Sequence, residues 1–353
     1  MDPRFLRAVE RSMGAEADFS NVVFRDPRGT AVGAAFLSLY PIDGLLLAPP
    51  RWKTWGNRLR RLWPSFLRVK VLFCGCPVST GDSHLRIAPG ADHRALLGQL
   101  DRLMVRLTRN QRTFFVVFKE FAAGEIARTD ALLERDYVRA DSLPMNYFPA
   151  RFRDFDHFCA SVRSRYRSQI RRSRKKFAHS GLRVLHVRGG EGIDRLYTEE
   201  VHRLYQAVLD HAEVKLECLP AEFFRELAHQ FPEDSAFTLI YQGEQIVGFV
   251  CSIFDRDSYH NLFCGFDYKL NDETDLYFNL MYEDLDFALR QNVRSIHVGQ
   301  TANEFKSRVG CYLEPRFFYV KALGPGLQPL VRAGSPYLFP PAPPVAERNL
   351  FRE

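Results

Sequence analysis

The sequence predicts an α+β fold of two tandem units. Each is a mixed, mostly antiparallel sheet covered by helices, and a basic helix joins them. Three observations predict it. The tetrapeptide Leu-Phe-Cys-Gly occurs twice, at Leu72–Gly75 and at Leu262–Gly265. Each copy follows a glycine turn and an apolar run, Gly29–Tyr40 and Gly243–Phe254. After each copy come a loop, a stretch of helical period and another strand-like run, so the repeat extends well beyond four residues.

In the second half, Phe237–Tyr241 and Ile246–Phe254 flank Gln242-Gly243-Glu244, a hairpin signal. Tyr259–Tyr268 reads as a third strand. Asp275–Arg290 follows as a helix, because Leu276, Leu280, Leu285 and Leu289 keep a helical period behind an acidic start. Ser295–Gly299 is a short strand, Ala302–Val309 a short helix stopped by Gly310, and Arg316–Ala322 a last strand. The first half repeats this order. Val22–Arg25 and Val32–Tyr40 form the hairpin and Val69–Gly75 the third strand. His93–Thr108 is the helix and Thr113–Phe121 the next strand. Asp130–Asp136 is the short helix and Leu143–Phe148 the last strand. The expected division is a first unit over residues 1–150 with an insertion at 41–68, a basic linker helix over 151–183, and a second unit over 184–325. A proline-rich, extended tail covers 326–353.

The chain has 353 residues and a formal net charge of +7. The longest apolar patch, Leu45–Pro50, falls far short of the roughly 20 residues a membrane-spanning helix needs. Nothing near the N-terminus reads as a signal peptide, so a cytoplasmic protein is expected. The seven cysteines are scattered. Cys74 and Cys76 have no second pair to complete a zinc site, and buried thiols in a reducing compartment are expected, with no metal. Two stretches are basic and free of acids: Arg51–Lys70, and Arg163–Lys176 with eight basic residues in fourteen. Charge of one sign at that density predicts an anionic partner, since a solvated arm would carry the repulsion uncompensated.

Two tandem β-β-β-α-β-α-β units joined by a basic helix resemble the Fem-type, double-GNAT acyltransferases. The motif that carries the resemblance is Ser295-Ile-His-Val-Gly-Gln-Thr-Ala-Asn-Glu-Phe-Lys-Ser-Arg-Val-Gly310. It is a strand ending in Gly299, a polar turn, then Lys306 and Gly310. The resemblance spans Asp18 to Ala322. It implies transfer of an acyl or aminoacyl group to an amine, with the donor entering where the third and fourth strands of the second unit splay apart. There is one departure. Coenzyme A-dependent relatives carry a glycine-rich loop after the third strand, whose amides hold pyrophosphate. The corresponding Lys269–Asp275 has no glycine and is acidic, so coenzyme A, if used, needs other contacts, such as the basic helix with Arg171 and Arg174.

Amide formation needs a base for the amine and donors for the tetrahedral oxyanion. His297 is the first candidate base and His260 the second; the plainer reading of each is a core histidine. Lys306 is the best-placed candidate to polarise the carbonyl or bind phosphate, with a solvated surface lysine as the plainer reading. Gln300, Asn303, Glu304 and Arg308 around it are expected to contact substrate. Cys264 has no cation beside it in sequence and reads as a buried thiol rather than a nucleophile.

The insertion holds all three tryptophans, Trp52, Trp55 and Trp63. With Leu59, Leu62 and Phe66 they share one broad helical face, ringed by Arg and Lys. That is the pattern of a helix lying on an anionic membrane, and Pro64 would kink or end it. The first functional reading is therefore a peripheral, cytoplasmic N-acyltransferase. It uses acyl-CoA or a similar thioester as co-substrate and an amine on a lipid-like acceptor, a long-chain base giving a ceramide-type amide being one version. No cofactor is held permanently. A second reading is aminoacyl transfer from charged tRNA to a cell-envelope precursor. A third is a non-catalytic basic adaptor for membrane or nucleic acid.

Overall fold

Period-two apolar runs become strands in both halves of the computed structural model, which describes residues 2–44, 50–64, 66, 68–109, 111, 113–212, 217–341 and 349–351. In chain order the elements are α1 (Pro3–Met13), β1 (Asp18–Arg25), β2 (Ala31–Asp43), α2 (Pro50–Arg60), β3 (Arg68–Cys74), β4 (Leu85–Ile87), α3 (His93–Thr108), β5 (Phe115–Ala122), α4 (Ile126–Thr129) and β6 (Val138–Phe148). Next come α5 (Phe155–Ser161), α6 (Ser164–Ala178), β7 (Arg183–Arg188), α7 (Ile193–Leu196), α8 (Glu199–His211), α9 (Ala221–Gln230), β8 (Ser235–Gln242), β9 (Gln245–Phe254) and β10 (Ser258–Phe266). The chain ends with α10 (Tyr268–Thr274), α11 (Leu276–Arg290), β11 (Ser295–His297), α12 (Asn303–Arg308), β12 (Tyr312–Ala322) and α13 (Leu327–Leu338).

The chain forms two compact units. The first comprises Met1–Pro144, Val214–Glu217 and Glu314–Pro343; the second comprises Met145–Glu213, Cys218–Leu313 and Pro344–Glu353. In the first the strand order is β1-β2-β3-β5-β12, with β4 also on β2. In the second, the end of β6 is followed by β11-β10-β9-β8-β7. Each unit has one parallel neighbour pair, β3–β5 and β10–β11, among antiparallel ones. A parallel pair needs a crossover, and α3 and α11 supply it. Leu97, Leu100 and Met104 of α3 pack on Leu37, Val116 and Phe118. Leu280, Leu285 and Leu289 of α11 pack on Val250, Tyr259 and Ile296.

Both copies of Leu-Phe-Cys-Gly end their strands, and each glycine is required by a close approach. A Cβ on Gly265 would stand 2.5 Å from the Tyr205 backbone nitrogen of α8 and 2.5 Å from the Phe249 ring. A Cβ on Gly75 would stand 2.4 Å from the Lys119 Cγ.

Several elements differ from the sequence-based expectations. The basic stretch is two helices broken at Val162, and α6 buries Tyr166 and Ile170 in the second unit's core. Strand β7, paired with β8, was not anticipated; its sequence alternates, but half of its residues are exposed and only Val187 is buried. The expected acidic loop is helix α10, capped by Asp267. The tail is not extended at its start: α13 occupies Leu327–Leu338 despite Pro336, and Val331 is buried in the first unit. No helix among the described residues is long and apolar enough to cross a membrane.

Candidate active site

In the second unit the register of β10 and β11 sets His260 beside His297. Alternation along parallel strands then puts Ser258, His260, Ser295 and His297 on one face. The Nε2 of each histidine lies within hydrogen-bonding distance of the serine two residues earlier, 3.1 Å for Ser258 and 3.2 Å for Ser295. The two imidazole rings are 4.0 Å apart between centroids. Tyr147, paired with His297 across β6, packs its ring 4.5 Å from the imidazole and stacks on Tyr312 at 5.6 Å. His297 is buried and His260 half-buried. A β-bulge between Asn261 and Phe263 breaks the alternation of β10 just past His260.

Past His297 the chain is clamped by Asn146. Its backbone oxygen accepts from Val298 N (2.8 Å), and its own N and Nδ2 both donate to the Gly299 carbonyl (3.0 and 2.9 Å). Nδ2 also donates to Asn303 Oδ1 at 2.8 Å. Gly299 takes φ +80°, and the turn continues through Ala302 at φ +56° into α12. Phe305 packs on Tyr277 (4.6 Å) and Phe278 (4.7 Å), and Val309 is buried, which seats the helix.

That seating carries Lys306 inward. It is 5% exposed, and a Cβ on Gly299 would stand 3.4 Å from its Nζ. Among the described residues Nζ makes no hydrogen bond and no ion pair. Burial pulls its pKa down to about 8, with the Cys311 and Cys264 thiols acting weakly against that. Burial in turn raises Cys264 to about 11 and Cys311 to about 12. Lys306 is thus a cation next to Cys264 in space, although none adjoins it in sequence. Desolvation outweighs its pull, and Cys264 stays a thiol.

One amide of the first turn of α11 is taken by a protein side chain, and a carboxylate stands beside it. Asn271 Oδ1 accepts from the Tyr277 amide at 3.0 Å, Asp275 stands at φ +51°, and its carboxylate pairs with Lys176 at 2.9 Å. A pyrophosphate here would meet a carboxylate and an occupied amide.

The other expected contacts fall as follows. Gln300 is buried in the turn, and Asn303 is half-buried in its bond to Asn146. Arg308 is exposed on α12, and the Glu304 side chain lies outside the described residues. On α6, Arg171 is exposed, and Arg174 is paired with Asp156 at 2.8 Å and set over the Phe155 ring. The basic helix is therefore not wholly without acids around it; Asp156 and Asp275 take two of its cations. On the insertion, Trp55 is 51% and Trp63 64% exposed, and the Trp52 side chain lies outside the described residues.

Sequence reading missed Tyr147, Tyr312, Asn146, Cys311 and Asp284. Asp284 of α11 is fully buried and accepts from Tyr259 Oη (2.8 Å), Asn261 Nδ2 (2.8 Å), Ser252 Oγ (3.2 Å) and Thr238 Oγ1 (3.3 Å). Burial raises its pKa, opposed by those donors. It ties α11 to β8, β9 and β10. Only its acidity and the spacing Tyr259-x-Asn261 hinted at it.

The family model FemAB-like, described as peptidoglycan biosynthesis/recognition, matches residues 72–322. No curated protein matches. Among solved structures, FemX is similar at 11% identity and TM-score 0.56, over 93% of this chain and 92% of that one. A tandem GNAT protein from the clavulanic acid biosynthesis pathway gives 12% and 0.54, over 92% and 89%. The C-terminal domain of a putative lysylphosphatidylglycerol synthetase from Agrobacterium fabrum gives 12% and 0.53, over 95% and 91%. At these identities the likeness is one of fold.

Proposed function

The chain belongs to the FemAB-like family, and we propose that it moves an aminoacyl or acyl group onto an amine at the Lys306 end of the β10–β11 pair. Family and fold support an acyl- or aminoacyltransferase in general. The observation that carries the site is the buried ammonium of Lys306, without an ion-pair partner among the described residues, beside the left-handed Gly299. A buried cation without a counter-charge is costly unless a ligand supplies one. The oxyanion of a tetrahedral intermediate is such a charge, and the ammonium would be worth most in the transition state. The donor carbonyl would lie over Gly299. The amine would attack, one of the paired histidines would accept its proton, and the leaving oxygen or sulfur would then take a proton up.

Of the donors, we favour an aminoacyl ester on tRNA over acyl-CoA. The Asp275 carboxylate and the occupied Tyr277 amide at the start of α11 argue against a pyrophosphate grip there. Among the described residues Arg171, Arg172 and Lys175 of α6 make no ion pair and are exposed, which suits a polyphosphate backbone. Acyl-CoA with a ceramide-type product gains no support from the family description. The membrane reading rests on Trp55, Trp63 and the 88% exposed Leu62 among Arg58, Arg61, Arg68 and Lys70. That surface would bring a lipid-linked amine acceptor to the protein. Transfer of labelled amino acid from a charged tRNA pool into a lipid-extractable amide, abolished by RNase, tests the donor. RNase-insensitive transfer from acyl-CoA would overturn it.

A further inference from the structure

The first unit carries a second polar cluster where its own parallel pair ends. Register runs from Val71↔Phe115 to Cys74↔Phe118 and stops. Beyond it, Lys119 and Glu120 together oppose the single residue Phe318 of β12, a β-bulge that turns both side chains out of the strand's alternation. Glu120 takes φ +67°, unusual for a residue with a side chain. Gly75 is the complement of this bulge, because the Lys119 stem lies where its Cβ would be.

The side chains converge. Lys119 Nζ donates to the Cys76 carbonyl at 2.8 Å and stands 3.5 Å from Glu120 Oε1. Ser79 Oγ donates to the same oxygen. Glu120 is 2% exposed, and among the described residues its Oε2 has no hydrogen-bond partner. Glu217 adds a second carboxyl, raised by burial to about 7, with Lys119 opposing and Glu120 reinforcing the shift. Burial works to deprotonate Lys119, but the charges of Glu120, Tyr40, Cys76 and Glu217 hold its pKa above the usual lysine value. The cluster thus has two carboxyls, one ammonium and one carboxylate oxygen awaiting a donor. Ser79, Lys119 and Glu217 keep part of their surface exposed, so it opens at its rim. A divalent ion is a poor occupant, because it needs six or so oxygen ligands. A primary ammonium needs only a few acceptors and brings its own N–H donors.

We propose that the bulge at Lys119–Glu120 is a binding site for a primary ammonium group, with Glu120 Oε2 as its principal acceptor. This rests on the reading of the protein as an amine acylator only in the class of ligand: amines are what such a protein meets. The test reads binding with no donor present, so its failure is distinct from failure of the transfer reaction. Ethanolamine is titrated calorimetrically into the whole chain, against ethylene glycol as the uncharged probe of like size. Ethanolamine should bind one site about tenfold or more tightly than ethylene glycol, as one charge-assisted contact predicts. Glu120→Gln should lose that margin. Should Glu120→Gln not fold, Glu120→Gly suits φ +67° and removes the carboxyl, and it should lose binding likewise. Equal binding of the two probes, no ethanolamine binding, or full affinity in a folded Glu120 variant would overturn the proposal.

Discussion

The ammonium of Lys306 stands 3.4 Å from the point where a Cβ on Gly299 would be, so the glycine keeps open the space the lysine faces. Gly299→Ala would fill that space and also strain φ +80°. The variant is expected to lose about 1 kcal/mol or more of stability and most of its activity. Urea melts and a transfer assay on the same preparation check both.

Lys306→Met keeps length and apolar bulk but removes a buried charge, and should stabilise the fold by about 3 kcal/mol at pH 7. The sign follows from linkage. The folded pKa, about 8, lies below the unfolded value of roughly 10.4. Between these values the unfolded chain holds the extra proton, so wild-type stability rises with pH. Below pH 8 both states are protonated and the penalty is constant. The stability gap between variant and wild type should therefore close from pH 8 towards pH 10. A gap independent of pH would show that Lys306 is not an ammonium desolvated by the fold.

Gly265→Ala should cost several kcal/mol, on the order of 3, because its Cβ meets the α8 backbone, which cannot yield as a side chain can. Gly75→Ala meets only the Lys119 side chain. It should cost less, and it should disturb the ammonium site more. Urea unfolding of the two variants ranks them.

Trp55→Ser, Leu62→Ser and Trp63→Ser combined should abolish flotation with liposomes rich in anionic lipid and leave melting temperature within a degree or two, since all three side chains are already exposed. Unchanged flotation would remove the membrane from the account.

The tandem design was legible because its signals are local: a glycine turn, alternating apolar residues, and a helical period before Gly310. That His297 would lie on a strand and Lys306 on the short helix after it was legible for the same reason. What sets their chemistry was not. Cys264 and Cys311 reach Lys306 only through the β10 and β12 ends, and burial of Lys306 depends on Phe305 seating against Tyr277 and Phe278. The four donors to Asp284 come from three strands whose register no single segment encodes. Strand β7 was hidden because only one of its six residues is buried, and α13 because Pro336 argued against a helix there.

The central claim is tested most directly by single-turnover transfer from charged tRNA, comparing wild type with Lys306→Met at saturating acceptor. The account predicts a transfer rate lower by about 100-fold or more, with tRNA binding unchanged and the variant at least as stable as wild type. Transfer at the wild-type rate by a folded Lys306→Met protein would contradict it.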